Sequence, residues 1–262
     1  MKETHSKIRI ALHGALGRMC GEIAKAVKED ERFCIAFGVD ERTPSAPLDF
    51  DVFKDFSEVP PCDVVVDFSF HTATKTALDF AVKNHLPIIV ATTGHDEEER
   101  QVIYSAGKVV PVFFAGNVSI GVYLATLLAR TAAAFLDDGF DVEIIEAHHR
   151  SKADYPSGTA LALANAIRDE KARKGKDYAL AVNVSNPRAQ RQIRLHSLRG
   201  GNTVGKHQVV FFGDGESLTI THETESKAVF VHGVLKAIEF VLTKQKGVYG
   251  MSDLLAPKTP SN

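Results

Sequence analysis

Short apolar segments alternate with amphipathic segments through the first 117 residues of the chain. The apolar segments are continuous in character, which is typical of parallel strands buried on both faces of a sheet. They occupy residues 7–14, 34–40, 63–69, 87–94 and 109–117. Between them, apolar residues recur at helical spacing over 17–29, 71–84 and 95–106. The alternation predicts an α/β fold on a doubly wound parallel sheet.

From about residue 118 the pattern becomes mixed. It predicts a long apolar helix over 119–136, a strand over 141–149 and a helix over 159–174. Three alternating segments follow, and glycine-rich turns at 200–201 and 213–215 predict that they pair as antiparallel hairpins; the segments are 192–201, 206–215 and 216–225. We therefore expect a second, smaller α+β domain with a mixed sheet. A closing helix over 232–244 could belong to either domain.

Composition and charge exclude several classes of function for this protein. Of 262 residues, 44% are hydrophobic, and the formal net charge is −2, so no basic field would recruit nucleic acid or anionic lipid. The three cysteines are scattered and never at CxxC spacing, which argues against a disulfide framework and favours a reducing compartment. The N-terminus lacks the apolar core of a signal peptide, and no apolar run approaches the ~18–20 residues that span a bilayer. We therefore expect a cytoplasmic protein that binds neither nucleic acid nor membranes.

The segment HGALGRM, residues 13–19, lies between the first predicted strand and the first predicted helix. Glycines there permit a tight turn and the close approach of a pyrophosphate, which the free N–H groups of the helix N-terminus stabilise. The spacing Gly14, Gly17, Gly21 differs from GxGxxG, so the turn alone does not decide between cofactor binding and an ordinary strand–helix connection. The second predicted strand ends at Asp40, where an acid would meet a ribose hydroxyl. Together these features predict a Rossmann-like, dinucleotide-binding domain.

The residues after Asp40 bear on the choice between NADH and NADPH. An acid at the ribose repels a 2′-phosphate, whereas an arginine accommodates one. Arg42 is therefore an argument for NADPH, but Glu41 stands between it and Asp40 and adds negative charge. We expect either cofactor to bind, with NADH favoured.

Two further segments, ATTG (91–94) and AGNVS (115–119), end predicted parallel strands. Ligands of open α/β sheets bind at that edge, so small residues and free backbone groups there fit a nicotinamide ribose. Ordinary turn chemistry explains either segment equally well on its own.

The segment EAHHRSKADYPSGTA, residues 146–160, combines two adjacent histidines, a lysine and a helix start. Successive strand residues face opposite sides, so His148 and His149 cannot both point the same way while the strand persists. That argues against a chelating pair, and no third and fourth metal ligand stands out at a useful spacing. We therefore expect no metal.

The helix start and Lys152 together would form a receptor for a carboxylate. A histidine beside a bound anion could supply a proton, because its ordinary pKa lies near neutrality. The alternative is a strand–helix loop with solvent-exposed histidines and an N-cap at Ser157. The spacing alone leaves both interpretations open.

The same segment resembles the signature E-x-H-H-x-x-K-x-D-x-P-S-G-T-A of the bacterial 4-hydroxy-tetrahydrodipicolinate reductases, also called dihydrodipicolinate reductases. The resemblance extends to GALGRM, DFS, ATTG, GNVSIGV, SLRGG, VGKHQVVFFGDGE and THE, in the family's order along almost the whole chain. It implies an enzyme of lysine and diaminopimelate biosynthesis, usually a homotetramer. Such an enzyme transfers a hydride from NADH or NADPH to a cyclic dicarboxylate conjugated with an imine, giving tetrahydrodipicolinate.

The resemblance also implies roles for individual residues. His148 would donate the proton, with Lys152 as its partner in catalysis and substrate binding, while His149, Gly158 and Thr159 would hold a substrate carboxylate. The implied cofactor contacts are Gly14, Ala15, Leu16, Gly17, Arg18, Met19, Asp40, Ala91, Thr92, Thr93, Ala115, Gly116, Asn117 and Val118. Residues 1–117 and 229–262 would form the dinucleotide-binding domain, which includes the closing helix. Residues 118–228 would bind substrate and mediate oligomerisation.

Two other functions remain open at this point. A related dinucleotide-dependent dehydrogenase acting on an amino acid or a sugar would use the two histidines differently. A dinucleotide-binding sensor would keep the fold without the chemistry, and loss of Lys152 or of either histidine would be its usual mark. All three residues are present, which favours an enzyme.

Overall fold

The computed structural model describes residues 6–256, so the ends of the predicted dinucleotide-binding domain, 1–5 and 257–262, lie outside the described residues. Twelve strands occur in this part of the chain: β1 (Ile8–His13), β2 (Phe33–Val39), β3 (Val52–Phe53), β4 (Val64–Asp67), β5 (Ile88–Val90), β6 (Pro111–Phe114), β7 (Asp141–His148), β8 (Ala179–Val182), β9 (Gln192–Arg199), β10 (Gly205–Gly213), β11 (Glu216–Thr224) and β12 (Gly247–Tyr249). The α-helices of the same residues are α1 (Arg18–Lys28), α2 (Thr74–Lys83), α3 (Glu97–Ala106), α4 (Ile120–Phe135), α5 (Gly158–Ala172), α6 (Ala228–Leu242) and α7 (Met251–Leu254).

The chain divides into two compact units. The first runs to Val118 and resumes at Phe230, and the second comprises Ser119–Val229. None of the helices within residues 6–256 combines enough length and apolarity to cross a membrane.

The first unit contains a seven-stranded parallel sheet in the order β12-β6-β5-β4-β1-β2-β3. All four residues of β4 and all three of β5 are buried, as the continuous apolar segments predict for strands covered on both faces. Apolar residues of α2 and α3, including Leu78 and Ile103, pack against the sheet in one core. The predicted doubly wound parallel sheet is confirmed.

Local signals mark where the helices of the first unit begin. The helix predicted over 95–106 is α3, and its start is fixed by a reciprocal pair of bonds: Glu99 N donates to the Asp96 carboxylate, and Asp96 N donates to the Glu99 carboxylate.

The closing helix is α6, which approaches the loop after β6 so closely that a Cβ on Gly233 would lie 1.9 Å from the Val118 carbonyl oxygen. Only glycine permits that approach.

The second unit contains a five-stranded mixed sheet in the order β11-β10-β7-β9-β8. Apolar residues of β7, β9 and β10, among them Ile144, Leu195 and Phe211, form one core with Leu163 and Ile167 of α5. The sheet is mixed because β7 pairs in parallel with β9 and antiparallel with β10. The predicted mixed α+β character of this half is confirmed.

One predicted pairing in this sheet is wrong. The hairpin between β10 and β11 is present, with Gly213 opposite Glu216, but the hairpin predicted at Gly200–Gly201 is not. There β9 pairs with β7, which lies between β9 and β10. Alternation and glycine show where a strand ends, but they do not show which edge of a sheet it joins.

Candidate active site

The predicted pyrophosphate turn lies between β1 and α1. Gly14 has φ +76°, and a Cβ there would lie 2.8 Å from the Phe68 carbonyl oxygen, so no other residue fits without displacing the backbone. The Gly17 N–H donates to the Gly14 carbonyl at 2.8 Å and closes the turn. Among the described residues, no side chain caps α1, whose first turn begins at Arg18 and Met19 and carries no acid. This turn fits a pyrophosphate, because its geometry demands glycine and the helix N-terminus favours an anion.

Asp40 follows β2 beside this turn and is 8% exposed. Its carboxylate accepts the Leu16 N–H at 3.0 Å and two N–H groups of Arg42, from Nε at 2.8 Å and Nη2 at 2.9 Å. The Arg42 guanidinium lowers the pKa of Asp40 to about 2, with backbone donors such as the Leu16 N–H adding to the effect. Asp40 is therefore ionised at neutral pH, and its carboxylate is fixed beside the turn.

The other predicted cofactor contacts lie in the two loops that follow β5 and β6. The Ala91 N–H donates to the Asp67 carbonyl at 3.0 Å, and the Ala115 N–H donates to the Val90 carbonyl at 3.1 Å. Each loop therefore continues from the carboxyl end of a parallel strand, the edge at which such sheets bind ligands. The residues so placed are Ala91, Thr92, Thr93, Ala115, Gly116, Asn117 and Val118.

The sequence analysis did not find a buried hydrogen-bonded cluster around Asp67, beneath the turn. Asp67, the last residue of β4, is fully buried and bonds to His13 Nδ1 at 2.9 Å. It also accepts hydroxyl groups of Ser69 at 2.5 Å, Thr74 at 2.8 Å and Thr92 at 3.0 Å. Burial alone would raise the pKa of Asp67, but these partners outweigh it and hold that pKa below the ordinary range. The Asp67 carboxylate thus ties the end of β1 to the loops after β4 and β5.

In the second unit, His148 ends β7 and shares its face with Glu146, two residues earlier. Glu146 is fully buried, and its Oε2 bonds to His148 Nδ1. Arg199, the last residue of β9, donates Nη1 to Glu146 Oε2 and Nη2 to Oε1, both at 2.9 Å. Burial alone would raise the pKa of Glu146, but bonds from Arg199 and His148 lower it. Glu146 is therefore an ionised carboxylate.

Burial lowers the pKa of His148 below its usual range, although Glu146 opposes that effect. The adjacent His149 lies outside the strand, where its Nδ1 bonds to Ser151 Oγ at 2.8 Å. The two rings therefore have different surroundings, because the strand ends at His148 and His149 begins the loop. Lys152 follows in the same loop, and its Nζ bonds to both carboxylate oxygens of the exposed Asp154 at 2.8 Å.

The start of α5 has the properties of a carboxylate receptor. Ser157 caps the helix by accepting the Ala160 N–H at 3.2 Å, and it also bonds to Nε2 of His207 at 3.0 Å. A Cβ on Gly158, the first helical residue, would meet nothing within 4 Å, so the space beside that residue is open to a ligand. Thr159 is next in the first turn. The helix N-terminus favours an anion in this space.

The structure places two further potential metal ligands, Glu146 and His207, next to His148. The sequence analysis did not find this group. Atoms of Glu146, His148 and His207 lie within 4.8 Å of one another. However, both Glu146 oxygens already bond to Arg199, whose fixed positive charge opposes a second cation at the carboxylate. Burial lowers the pKa of His207 to about 4, so its ring is neutral at physiological pH, the form that could bind a metal; the feature that opposes a cation is therefore the charge of Arg199.

Sequence reasoning therefore missed Glu146, Arg199 and His207 as members of this site. Glu146 could have been found, because period two places it on the same strand face as His148. Arg199 and His207 are 53 and 50 residues distant from their partners Glu146 and Ser157, and no local pattern signals those contacts.

Comparison with known proteins gives consistent matches along the chain. Residues 8–118 match the family model described as "Dihydrodipicolinate reductase, N-terminus", and residues 121–255 match "Dihydrodipicolinate reductase, C-terminus". A 4-hydroxy-tetrahydrodipicolinate reductase of Caldanaerobacter subterraneus subsp. tengcongensis is 41% identical over 95% of this chain and 98% of its own. One of Clostridium tetani is 38% identical over 97% of this chain and 99% of its own.

A solved structure resembles the whole fold. It is the dipicolinate-bound dihydrodipicolinate reductase from Paenisporosarcina sp. TG-14, which is 25% identical, with a TM-score of 0.77. The similarity covers 95% of this chain and 100% of that one.

Proposed function

Because the chain belongs to the dihydrodipicolinate reductase family, we propose that it reduces 4-hydroxy-tetrahydrodipicolinate, or the dehydrated dihydrodipicolinate, to tetrahydrodipicolinate. The protein is an NAD(P)H-dependent oxidoreductase of lysine and diaminopimelate biosynthesis. The observation that carries the proposal is the buried His148, bonded to an ionised Glu146 and followed by Lys152 and the open start of α5. The first unit would bind the dinucleotide, and the second would bind the substrate.

The substrate's two carboxylates require positive partners. Lys152, His149 and the first-turn residues Gly158 and Thr159 supply a cation, a ring N–H and helix N–H groups for that purpose. Lys152 is paired with the exposed Asp154, an interaction worth little in solvent, so a substrate carboxylate can replace it. A cyclic dicarboxylate is therefore the substrate class that these residues fit.

When bound, the reduced nicotinamide would supply a hydride to one carbon of the conjugated C=C–C=N system of the dehydrated ring; the 4-hydroxy form would first lose its hydroxyl group as water. The resulting anion must take up one proton, and His148 donates it. Glu146 is ionised, so His148 Nδ1 carries the hydrogen of their bond and Nε2 is the nitrogen that remains for the substrate. Donation from Nε2 then requires the doubly protonated ring. A proton from solvent restores His148 afterwards.

Activity should decline as pH rises. Because burial lowers the pKa of His148 in the free protein, the doubly protonated ring is lost as pH rises through that lowered pKa. We expect kcat/KM to fall about tenfold per pH unit above it. A bound dianion favours the imidazolium, so the alkaline limb of kcat should lie at higher pH than that of kcat/KM. Coincident limbs, or rates that rise with pH, would contradict this role of His148.

A direct assay tests the reaction itself. Condensing pyruvate with aspartate semialdehyde provides the substrate, and the absorbance of the reduced nicotinamide follows turnover. We expect consumption of NADH or NADPH only when both condensation partners are present. An absence of consumption with either cofactor would rule out the proposed reaction.

We expect NADH to be preferred over NADPH. The ionised Asp40 and the neighbouring Glu41 would repel a 2′-phosphate, and Arg42 is already engaged by Asp40. A like-charge contact of roughly 1–2 kcal/mol corresponds to about a tenfold higher KM for NADPH. Initial rates with both cofactors measure this ratio, and Glu41→Arg should reduce it. Equal kcat/KM for the two cofactors in the wild-type protein would contradict the preference.

Self-association as a homotetramer is part of the same proposal. The face of the second unit's sheet that lies opposite the helical core exposes Leu198 and Phe212, at 56% and 49%. Exposed apolar groups on an open sheet face favour contact with another copy. Sedimentation velocity of the wild type and of Phe212→Lys compares the number of subunits in their assemblies.

The free thiols of Cys20, Cys34 and Cys62 fit a cytoplasmic location, which is part of the proposal.

A further inference from the structure

We propose that Glu146 and Arg199 form a positioning pair for proton donation, in which Glu146 orients His148 and Arg199 keeps Glu146 ionised. This inference rests on the proposed role of His148 as the proton donor. Neither Glu146 nor Arg199 would touch the reacting atoms; both would act through His148.

Glu146 has every hydrogen-bonding direction occupied by a donor. Oε2 bonds to His148 Nδ1 and Arg199 Nη1, and Oε1 accepts Arg199 Nη2 at 2.9 Å and the Ser157 N–H at 3.3 Å. A fully buried carboxylate with four such contacts has one stable orientation. His148 is thereby held in one ring orientation, with its Nδ1 hydrogen fixed and Nε2 left for the substrate.

Arg199 reaches this carboxylate because of the strand register. The parallel pairing of β7 with β9 places Arg199 directly opposite His148. Besides Glu146, the guanidinium donates to the carbonyl of Lys152 at 3.2 Å and to that of Asp154 at 2.7 Å. Arg199 therefore couples the position of Glu146 to the loop that carries Lys152.

The charges around His148 explain why an arginine is needed. Glu146 lies on its own strand, Arg199 on β9, Lys152 in the following loop and the neutral His207 on β10, with its ring centroid 5.1 Å from that of His148. An unpaired carboxylate would hold the imidazolium proton too strongly for transfer. Arg199 offsets that attraction, while Lys152 adds a second positive charge. The pair thus orients the ring and leaves it acidic enough to donate.

The decisive variant is Glu146→Gln, which keeps the side chain's size and one acceptor oxygen for Arg199 but removes the charge and the second acceptor. We expect kcat to fall about 100-fold, with the KM of the substrate and the Kd of NADH changed less than threefold. The alkaline limb of the kcat/KM profile should move to lower pH, because Glu146 favours the protonated ring. Nitrogen-15 NMR of labelled histidine should show loss of the fixed Nδ1–H form.

Glu143→Gln is the matched control. Glu143 is also on β7 and also pairs with an arginine and a histidine, Arg188 and His196, but on the opposite face of the strand. Its kcat and pH profile should equal those of the wild type. Wild-type kcat and an unshifted profile in Glu146→Gln would overturn the inference, as would equal losses in the two variants.

Three further variants separate the inference from its premise and from a structural role. If His148→Gln retains turnover, the proposed proton donor is wrong; if it loses turnover while Glu146→Gln does not, only the positioning pair is wrong. Arg199→Met leaves Glu146 buried without its partner, and we expect a poor yield of folded protein. Adding Glu146→Gln should restore folding but not kcat. Recovery of kcat together with folding would show that Glu146 and Arg199 have only a structural role.

Discussion

Replacement of His148 by glutamine should lower kcat about 1,000-fold, the largest loss expected from any single change in this protein. Removing a positioned general acid costs roughly 10²–10⁴ in rate, because the anion left by hydride addition must then take its proton from water. Glutamine is close in size and can still hydrogen-bond to the buried Glu146, so the fold should be retained. Steady-state rates at saturating substrate and NADH measure the loss.

Binding measurements distinguish this loss from a general defect. Because His148 belongs to the second unit and the glycine turn to the first, the Kd of NADH should stay within about twofold of the wild type. His149→Gln is the informative neighbour: as a substrate contact, it should raise KM more than it lowers kcat. A larger loss of kcat for His149→Gln than for His148→Gln would exchange the two assignments.

Replacement of Asp67 by alanine should destabilise the first unit by about 3–5 kcal/mol, because several buried donors lose their shared carboxylate acceptor and each buried group left unpaired costs roughly 1–3 kcal/mol. The change leaves His13 and three hydroxyl groups without their shared acceptor beneath the glycine turn. Calorimetry of the cofactor-free protein should show the transition of that unit lowered by about 10 °C, at roughly 2–4 °C per kcal/mol. The second unit's transition should not move.

The control is Asp79→Ala, which removes the exposed partner of Lys75 on α2 and should change stability by less than about 0.5 kcal/mol. The pKa of Asp67 is held below its unfolded value of about 3.9, so its contribution is present above that pH and is lost on acidification through the folded-state pKa. The difference between wild type and Asp67→Ala should therefore disappear in strong acid. Equal stabilities at neutral pH would show that the cluster does not stabilise the unit.

Local signals in the chain were sufficient for the elements and for much of the site. Apolar continuity predicts β4 and β5, because strands buried on both faces have no polar side to show. The acidic first turn predicts α3, and the glycine at position 14 predicts the turn that its positive φ requires. The short strands β3, β8 and β12 were not predicted; each lies at an edge of its sheet, where incomplete burial imposes a weaker apolar pattern.

The family resemblance, which rests on sequence alone, assigns roles to His148, Lys152 and the cofactor loops. Strand periodicity already separated His148 from His149, since that property depends only on neighbouring residues. These assignments remain proposals about roles, and the experiments above address them one at a time.

Only the tertiary structure decided the contacts between residues that are distant in sequence. His13 and Asp67 are 54 residues apart, and Glu146 and Arg199 are 53 apart. Each pair meets because two strands adopt one register in one sheet, which is set by the packing of the whole core. Local patterns specify where a strand lies and which face is buried, but strand order is a property of the assembled sheet. The sequence alone thus predicted most of the elements and the two candidate histidines, while the fold decided which distant residues hold His13 and His148.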